Sequence, residues 1–188
     1  MTMKKQGRDP ATLAMRRLVK RLEKAKIVHA VMGGMAVYAH GYRRFTDDVD
    51  VLVTPQGLET FRSRFVPNDY ELVAGKKRRF VDRMNGVTVD LVIAGHFPGF
   101  RSDGPITFPD PSAVRQQIDS IYFIDLTTLI QLKLAALRPQ DYADVVDLIR
   151  ANQLDESFLT RLHPSLHHDF LEGLAHVRRE AEYEARED

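Results

Sequence analysis

A mixed α/β fold, with a sheet in its first part and helices in its last, is what this chain predicts. Three observations carry it. Short apolar, partly β-branched runs alternate with segments of helical spacing as far as about Asp125. An Asn85-Gly86 pair between two of those runs signals a hairpin, so the sheet is mixed. Beyond Asp125 the pattern is mostly helical.

The elements follow in order. Leu13, Leu18 and Leu22 recur at near-helical spacing among Arg and Lys, with Asp9 placed as N-cap and Pro10 at the first helical position, which gives a surface helix to about Lys26. Ile27 to Met32 is short and apolar and ends at Gly33-Gly34, as a buried strand entering a tight turn would. Met35 to His40 suits a short helix closed by Gly41, Val49 to Val53 the next strand, and Thr54-Pro55 the start of a helix to about Phe65. After the Pro67-Asn68-Asp69 turn, Tyr70 to Val73, Arg79 to Arg83 and Val87 to Ile93 read as strands. Gly95 to Pro111 has Gly and Pro without periodicity, an ordered loop returning over the sheet. A short strand, Ile121 to Ile124, precedes a helix capped by Thr127 or Thr128 and running through Leu137. Pro139 breaks the chain before a helix from about Asp141 to Ala151. Helices near Asp155 to Leu162 and Phe170 to Glu184 complete it, with Arg178 to Asp188 as a fraying end. The expected division is a core over residues 1–125 and a helical portion over 126–188, packed as one compact unit.

With 188 residues, 44% of them hydrophobic, the chain can bury one substantial core. Lys plus Arg number 27 against 26 Asp plus Glu, so any electropositive site has to be local. The absence of cysteine excludes disulfides, thiol nucleophiles and cysteine–metal sites. Met1 to Arg8 is basic and polar with no signal-peptide core behind it, and no run reaches the roughly 18 apolar residues of a membrane span. A soluble cytoplasmic protein is the expectation.

Asp47, Asp48 and Asp50 gather where an apolar strand begins. An unpaired buried carboxylate is strongly unfavourable, so such a cluster needs cations, hydrogen bonds or a metal. In extended backbone Asp48 and Asp50 share one face and Val49, Val51 and Val53 the other; in the later strand Thr88, Asp90 and Val92 share a face. If the two strands are neighbours, Asp90 meets the other two, and three hard oxygen donors suit Mg²⁺ or Mn²⁺. Gly33-Gly34, between a strand and a helix, lets phosphate approach backbone N–H groups at the same end of the sheet.

Gly33-Gly34, then Arg44, Thr46 and Asp48-Val49-Asp50 leading an apolar strand, with Asp90 in a second strand, resemble the nucleotidyltransferase superfamily that includes DNA polymerase beta. Within it, "GGMAVYAHGYRRFTDDVDVLV" together with "LIQLKLAALRPQDYADVVDLI" looks most like the bacterial AbiEii-type nucleotidyltransferase toxins and their stand-alone relatives, over about Val28 to Ile149. The resemblance implies a mixed-sheet core that transfers a nucleoside monophosphate from an NTP to an acceptor hydroxyl. It gives Asp48 and Asp50 the metal-ligand role, Asp90 that of third ligand and general base, and Gly33-Gly34 the triphosphate cradle. Lys133 sits where the family's phosphate-contacting lysine is expected; a snorkelling surface lysine is the other reading. Arg138, Asp141 and Asp144 match the family's R-x-x-D-x-x-D pattern, either orienting Lys133 or capping a helix. Arg44 is placed to neutralise phosphate or to pair with a neighbouring aspartate, and Thr46 to tie the turn before the strand. The acceptor would be transfer RNA or another RNA, a protein, or a small hydroxylated molecule such as an antibiotic, and a toxin would bring an antitoxin partner. AbiEii-type toxins carry a longer helical portion than the stretch after Ile149 here, which bears on the acceptor rather than the catalytic core. A non-catalytic nucleotide- or partner-binding module on the same fold is the alternative.

Lys76-Lys77-Arg78-Arg79 is the densest basic run, suited to RNA phosphate or triphosphate, or to a solvated sheet edge; aromatic residues are too sparse around it for a base-stacking platform. His163, His167 and His168 read as surface histidines without a companion cluster, His96 has no assigned role, and Tyr122 and Phe123 read as core.

Overall fold

The computed structural model describes residues 9–99 and 103–187; the basic stretch Met1 to Arg8 and the terminal Asp188 lie outside them. The chain opens with α1 (Pro10–Lys24), whose first turn is capped by Asp9: its carboxylate accepts from Thr12 N–H at 3.0 Å. Then come β1 (His29–Val31), α2 (Gly33–Ala39), β2 (Asp48–Val53) and α3 (Pro55–Phe65), the last capped by Thr54, followed by β3 (Tyr70–Leu72), β4 (Arg79–Asp82) and β5 (Thr88–Ile93). After a loop follow α4 (Pro111–Val114), β6 (Arg115–Ile118), β7 (Ile121–Ile124), α5 (Leu126–Ala136), α6 (Pro139–Ala151), two 3₁₀ segments (Glu156–Arg161 and Pro164–Leu166) and α7 (His167–Glu187).

All the strands form one mixed sheet in the order β3-β4-β5-β2-β1-β7-β6. β2 runs parallel to β5, and β1 to β7; the other neighbours are antiparallel. One face carries Val49, Val51 and Val53 of β2 with Val89 and Leu91 of β5, all buried. Phe61 of α3 packs there against Tyr70 and Phe80, with ring centroids 5.0 and 5.1 Å apart. α1 covers the same side and is pinned by Arg17, whose Nη2 donates to the buried Asp82 at 2.8 Å. The opposite face of β2 and β5 carries the aspartates, and α5 and α6 stand over it.

Several local readings need correction. Asp125, not Thr127 or Thr128, caps α5, because its carboxylate reaches both Thr128 N–H and Oγ1. Pro139 begins α6 at its first position, where its missing N–H costs nothing, so the helix starts before Asp141. Asp155 to Leu162 forms 3₁₀ turns rather than an α-helix. The strand β6 carries no apolar alternation that a sequence pattern could show, since Arg115-Gln116-Gln117 is polar and exposed at the sheet edge. Arg178 onward continues α7 as far as Glu187. Phe123 is core, whereas Tyr122 alternates to the outer face, half-buried beneath Arg115, whose guanidinium lies 4.4 Å from the ring centroid.

Candidate active site

The parallel register sets Asp48 opposite Thr88 and Asp50 opposite Asp90. Alternation then puts all three aspartates on one face, and an oxygen from each lies within 4.8 Å of the others. Three carboxylates so close resist joint ionisation. Burial first, then the charges of Asp48 and Asp90, push the Asp50 carboxyl from 3.8 to about 7, against the pull of Lys133 and Arg138. Hard oxygen donors at this spacing, one of them disfavoured as a lone anion, fit a divalent ion such as Mg²⁺ or Mn²⁺.

Arg79 opens β4 directly opposite Asp90. Its Nε stands 2.9 and 3.0 Å from the two Asp90 oxygens and its Nη2 2.6 Å from Oδ2, a forked grip on the third carboxylate. The basic run had not been placed at the carboxylates; the cue lay in the hairpin register, which puts Arg79 and Asp90 on the same face. The rest of that run lines an open basin beside the site, where Arg78 Nη1 is 3.2 Å from His96 Nδ1.

The glycine pair has a reason within the chain itself. Gly33 has φ +62°, and a Cβ there would sit 2.0 Å from Asp50 Oδ2. A Cβ on Gly34 would sit 2.8 Å from Thr46 Cβ and 3.0 Å from Arg44 Nη2. The first absence makes room for the Asp50 carboxylate, and the second lets the segment carrying Arg44 and Thr46 close against the start of α2. Thr46 Oγ1 in turn donates to Asp48 Oδ1 at 2.8 Å and orients that carboxylate.

Lys133 is only 7% exposed, so it does not snorkel to the surface. Its Nζ donates to Asp141 Oδ1 at 3.1 Å and Asp144 Oδ2 at 2.6 Å. α6 starts without a side-chain cap, so these aspartates hold Lys133 rather than cap their helix. Asp144 also accepts from Gln140 at 3.1 Å and faces Arg44 Nε at 2.9 Å, an ion pair off the hydrogen-bond direction. Arg44 is thus paired with a distant aspartate, not a sequence neighbour. Arg138 reaches Asp141 Oδ2 at 2.6 Å. For Asp141 burial acts to raise its pKa, yet the hydrogen bond from Arg138 and the charge of Lys133 outweigh it and leave the carboxyl below its ordinary value.

Two cavities share Asp48 and Asp50. An outer one of about 510 Å³ is lined by Gly33, Arg44, Thr46, Asp48, Asp50 and Lys133, among others. An inner one of about 330 Å³ continues past Asp90 to Phe97, Phe108, Leu129 and Leu132. Phe97 and Phe108 of these walls come from the Gly95 to Pro111 stretch, whose sequence has no periodicity to mark them. Elsewhere, His168 does have companions: ligand atoms of His168, Asp169 and Glu172 lie within 4.8 Å of one another across the first two turns of α7. His163 Nδ1 instead bonds Ser165 Oγ at 2.8 Å, and His167 Nε2 the Leu162 carbonyl at 3.3 Å.

No protein-family model matches the sequence, and no curated protein matches it. Solved structures do. ANT(2'')-Ia in complex with adenylyl-2''-tobramycin is similar with a TM-score of 0.54 at 11% identity, covering 85% of this chain and 96% of that one. An antigenic nucleotidyltransferase-like protein from Paracoccidioides brasiliensis gives 0.55 at 15% identity, covering 94% and 92%. The chain has the nucleotidyltransferase fold.

Proposed function

We propose that this chain is a nucleotidyltransferase that moves a nucleoside monophosphate from an NTP to an acceptor hydroxyl, with Mg²⁺ or Mn²⁺ as cofactor. One observation carries the reading: Asp48, Asp50 and Asp90 converge on neighbouring parallel strands, within reach of one ion. These three would hold the metal, which when bound supplies Lewis-acid activation of the hydroxyl and neutralises phosphate charge. Asp90 takes the acceptor's proton as the acceptor oxygen bonds to the α-phosphorus and the bond to the pyrophosphate oxygen breaks. Lys133, aimed by Asp141 and Asp144, and the N–H groups at Gly33-Gly34, which as a helix start have no intrahelical partner, stabilise charge on the phosphates. Arg44 and Thr46 hold this side of the site together.

On this reading residues 1–125 form the catalytic core and 126–188 its helical complement. The AbiEii-type kinship, a toxin role with an antitoxin partner, an RNA, protein or small-molecule acceptor, and a cytoplasmic setting belong to the same proposal. Among the described residues no helix is long and apolar enough to cross a membrane. Supporting adenylyl transfer to a hydroxyl is the fold neighbour described with adenylyl-2''-tobramycin. One observation favours the rival, a non-catalytic nucleotide-binding module: Arg79 occupies both oxygens of Asp90.

The test is pyrophosphate release from each of the four NTPs with Mg²⁺ and with RNA, protein extract or an aminoglycoside as acceptor, alongside NTP-induced thermal stabilisation. Turnover in the wild type that Asp48→Asn abolishes supports the enzyme. Stabilisation without turnover by any acceptor favours the module, and neither effect overturns both.

A further inference from the structure

We infer that the inner cavity is the nucleobase site of the donor NTP, with Phe97 and Phe108 as its aromatic walls; the inference rests on the nucleotidyltransferase reading above. Three recesses meet at the carboxylates, and their linings differ in chemistry. The outer cavity gathers Arg44, Lys133 and Arg138 around Asp48 and Asp50, a setting for phosphate oxygens. The open basin, of about 1100 Å³ with Lys76, Lys77 and Arg78 at its wall, touches Asp90 but neither Asp48 nor Asp50. It therefore leads to the proton acceptor alone, which suits the incoming hydroxyl.

The inner cavity shares Asp48, Asp50 and Lys133 with the outer one, but its far end is apolar: Phe97, Pro98, Phe108, Leu129 and Leu132. An NTP whose α-phosphate lies at the carboxylates and whose terminal phosphates lie in the outer cavity has one flat, weakly polar part left to place. Its volume of about 330 Å³ is at the lower end of small-molecule sites. Both phenylalanines are half-buried, so each keeps ring surface free to stack.

Hydrogen bonds and close packing hold the walls in place. Gly95 N–H donates to the Phe108 carbonyl at 2.7 Å, and Phe108 N–H to the His96 carbonyl at 2.8 Å, so the two ends of the loop are stitched together beside the cavity. On its other side Gly99 lies directly on the end of α5, where a Cβ would come within 2.8 Å of the Ala136 carbonyl oxygen. A platform fixed at both ends can stack a base without first being ordered, which limits the entropic cost of binding.

The chain contains no tryptophan, so Phe108→Trp places the variant's one tryptophan, excited selectively over the six tyrosines, in the proposed wall. With Mg²⁺ present, the four NTPs should quench or shift its emission while inorganic tripolyphosphate leaves it unchanged. By calorimetry the wild type should bind its preferred NTP more tightly than tripolyphosphate. Phe97→Ala and Phe108→Ala should each weaken NTP binding about tenfold and spare tripolyphosphate. Ala136→Phe, which adds bulk to the cavity from its α5 wall, should do the same, and unfolding temperatures confirm that each variant is folded. If the wild type binds both ligands but these variants leave the NTP preference intact, or if NTP leaves the tryptophan unaffected, the nucleobase assignment is wrong and the phosphate site stands. If the wild type binds neither ligand, the nucleotidyltransferase reading fails and this one with it.

Discussion

Asp50→Asn is expected to stabilise the metal-free protein and to erase its response to Mg²⁺. Raising a carboxyl from 3.8 to about 7 corresponds to roughly 4 kcal/mol, at about 1.36 kcal/mol for each tenfold change. The sign follows from linkage: the folded state binds this proton more tightly than the unfolded chain, so the contribution is favourable below about pH 4 and is lost as pH rises through about 7. Relaxation and water entry at a partly exposed strand position reduce the cost to about 2 kcal/mol, or about 4–8 °C in a domain of this size. Thermal unfolding in EDTA at pH 4, 6 and 8 checks it. The variant should melt above the wild type at pH 8, and the gap should close towards pH 4. In the wild type Mg²⁺ should stabilise more at pH 8 than at pH 6, because the ion displaces the Asp50 proton. A variant less stable than the wild type in EDTA at pH 8 would refute the reasoning, since it would mean that Asp50 is held by partners rather than repelled by neighbours.

Lys133→Met leaves the buried Asp141 and Asp144 without their shared cation and should cost about 3–5 kcal/mol, read from the urea midpoint. Arg79→Gln frees both Asp90 oxygens; since Arg79 is close to half exposed, the gain is modest, about two- to fivefold tighter Mn²⁺ binding by electron paramagnetic titration. Unchanged affinity would show that the arginine does not compete with the ion. His29 in β1 is buried with Nε2 unpartnered, and burial lowers its pKa below 6.5, so it folds neutral. The unfolded chain takes up the proton first, and stability should fall as pH drops below about 6.5. In an Asp50→Asn background, which removes the opposing trend, His29→Phe should flatten that acid limb in urea unfolding between pH 5 and 7.

Short-range pattern was enough for most of the fold. The alternation around Asp48, Asp50 and Asp90 is a property of extended backbone, so their shared face could be read without coordinates. The Asp9 and Thr54 caps likewise depend on contacts three residues away. The polar edge strand β6 left no such trace, because an exposed strand is stabilised by pairing with β7 rather than by burying its own side chains. Residues that act across the chain were decided only by tertiary packing. Lys133 is held by α6, Arg44 crosses from the loop before β2 to Asp144, and Arg79 grips Asp90 through the sheet register. The glycines were legible as a turn, but their closeness to Asp50 and Thr46 was not, since it depends on how that segment folds back onto α2. Phe97 and Phe108 look like loop residues in one dimension and become cavity walls only where the loop is stitched and laid on α5. Residue type and periodicity thus specified the carboxylates and their strands, whereas charge pairing and cavity shape, which depend on distances between remote segments, came from the fold.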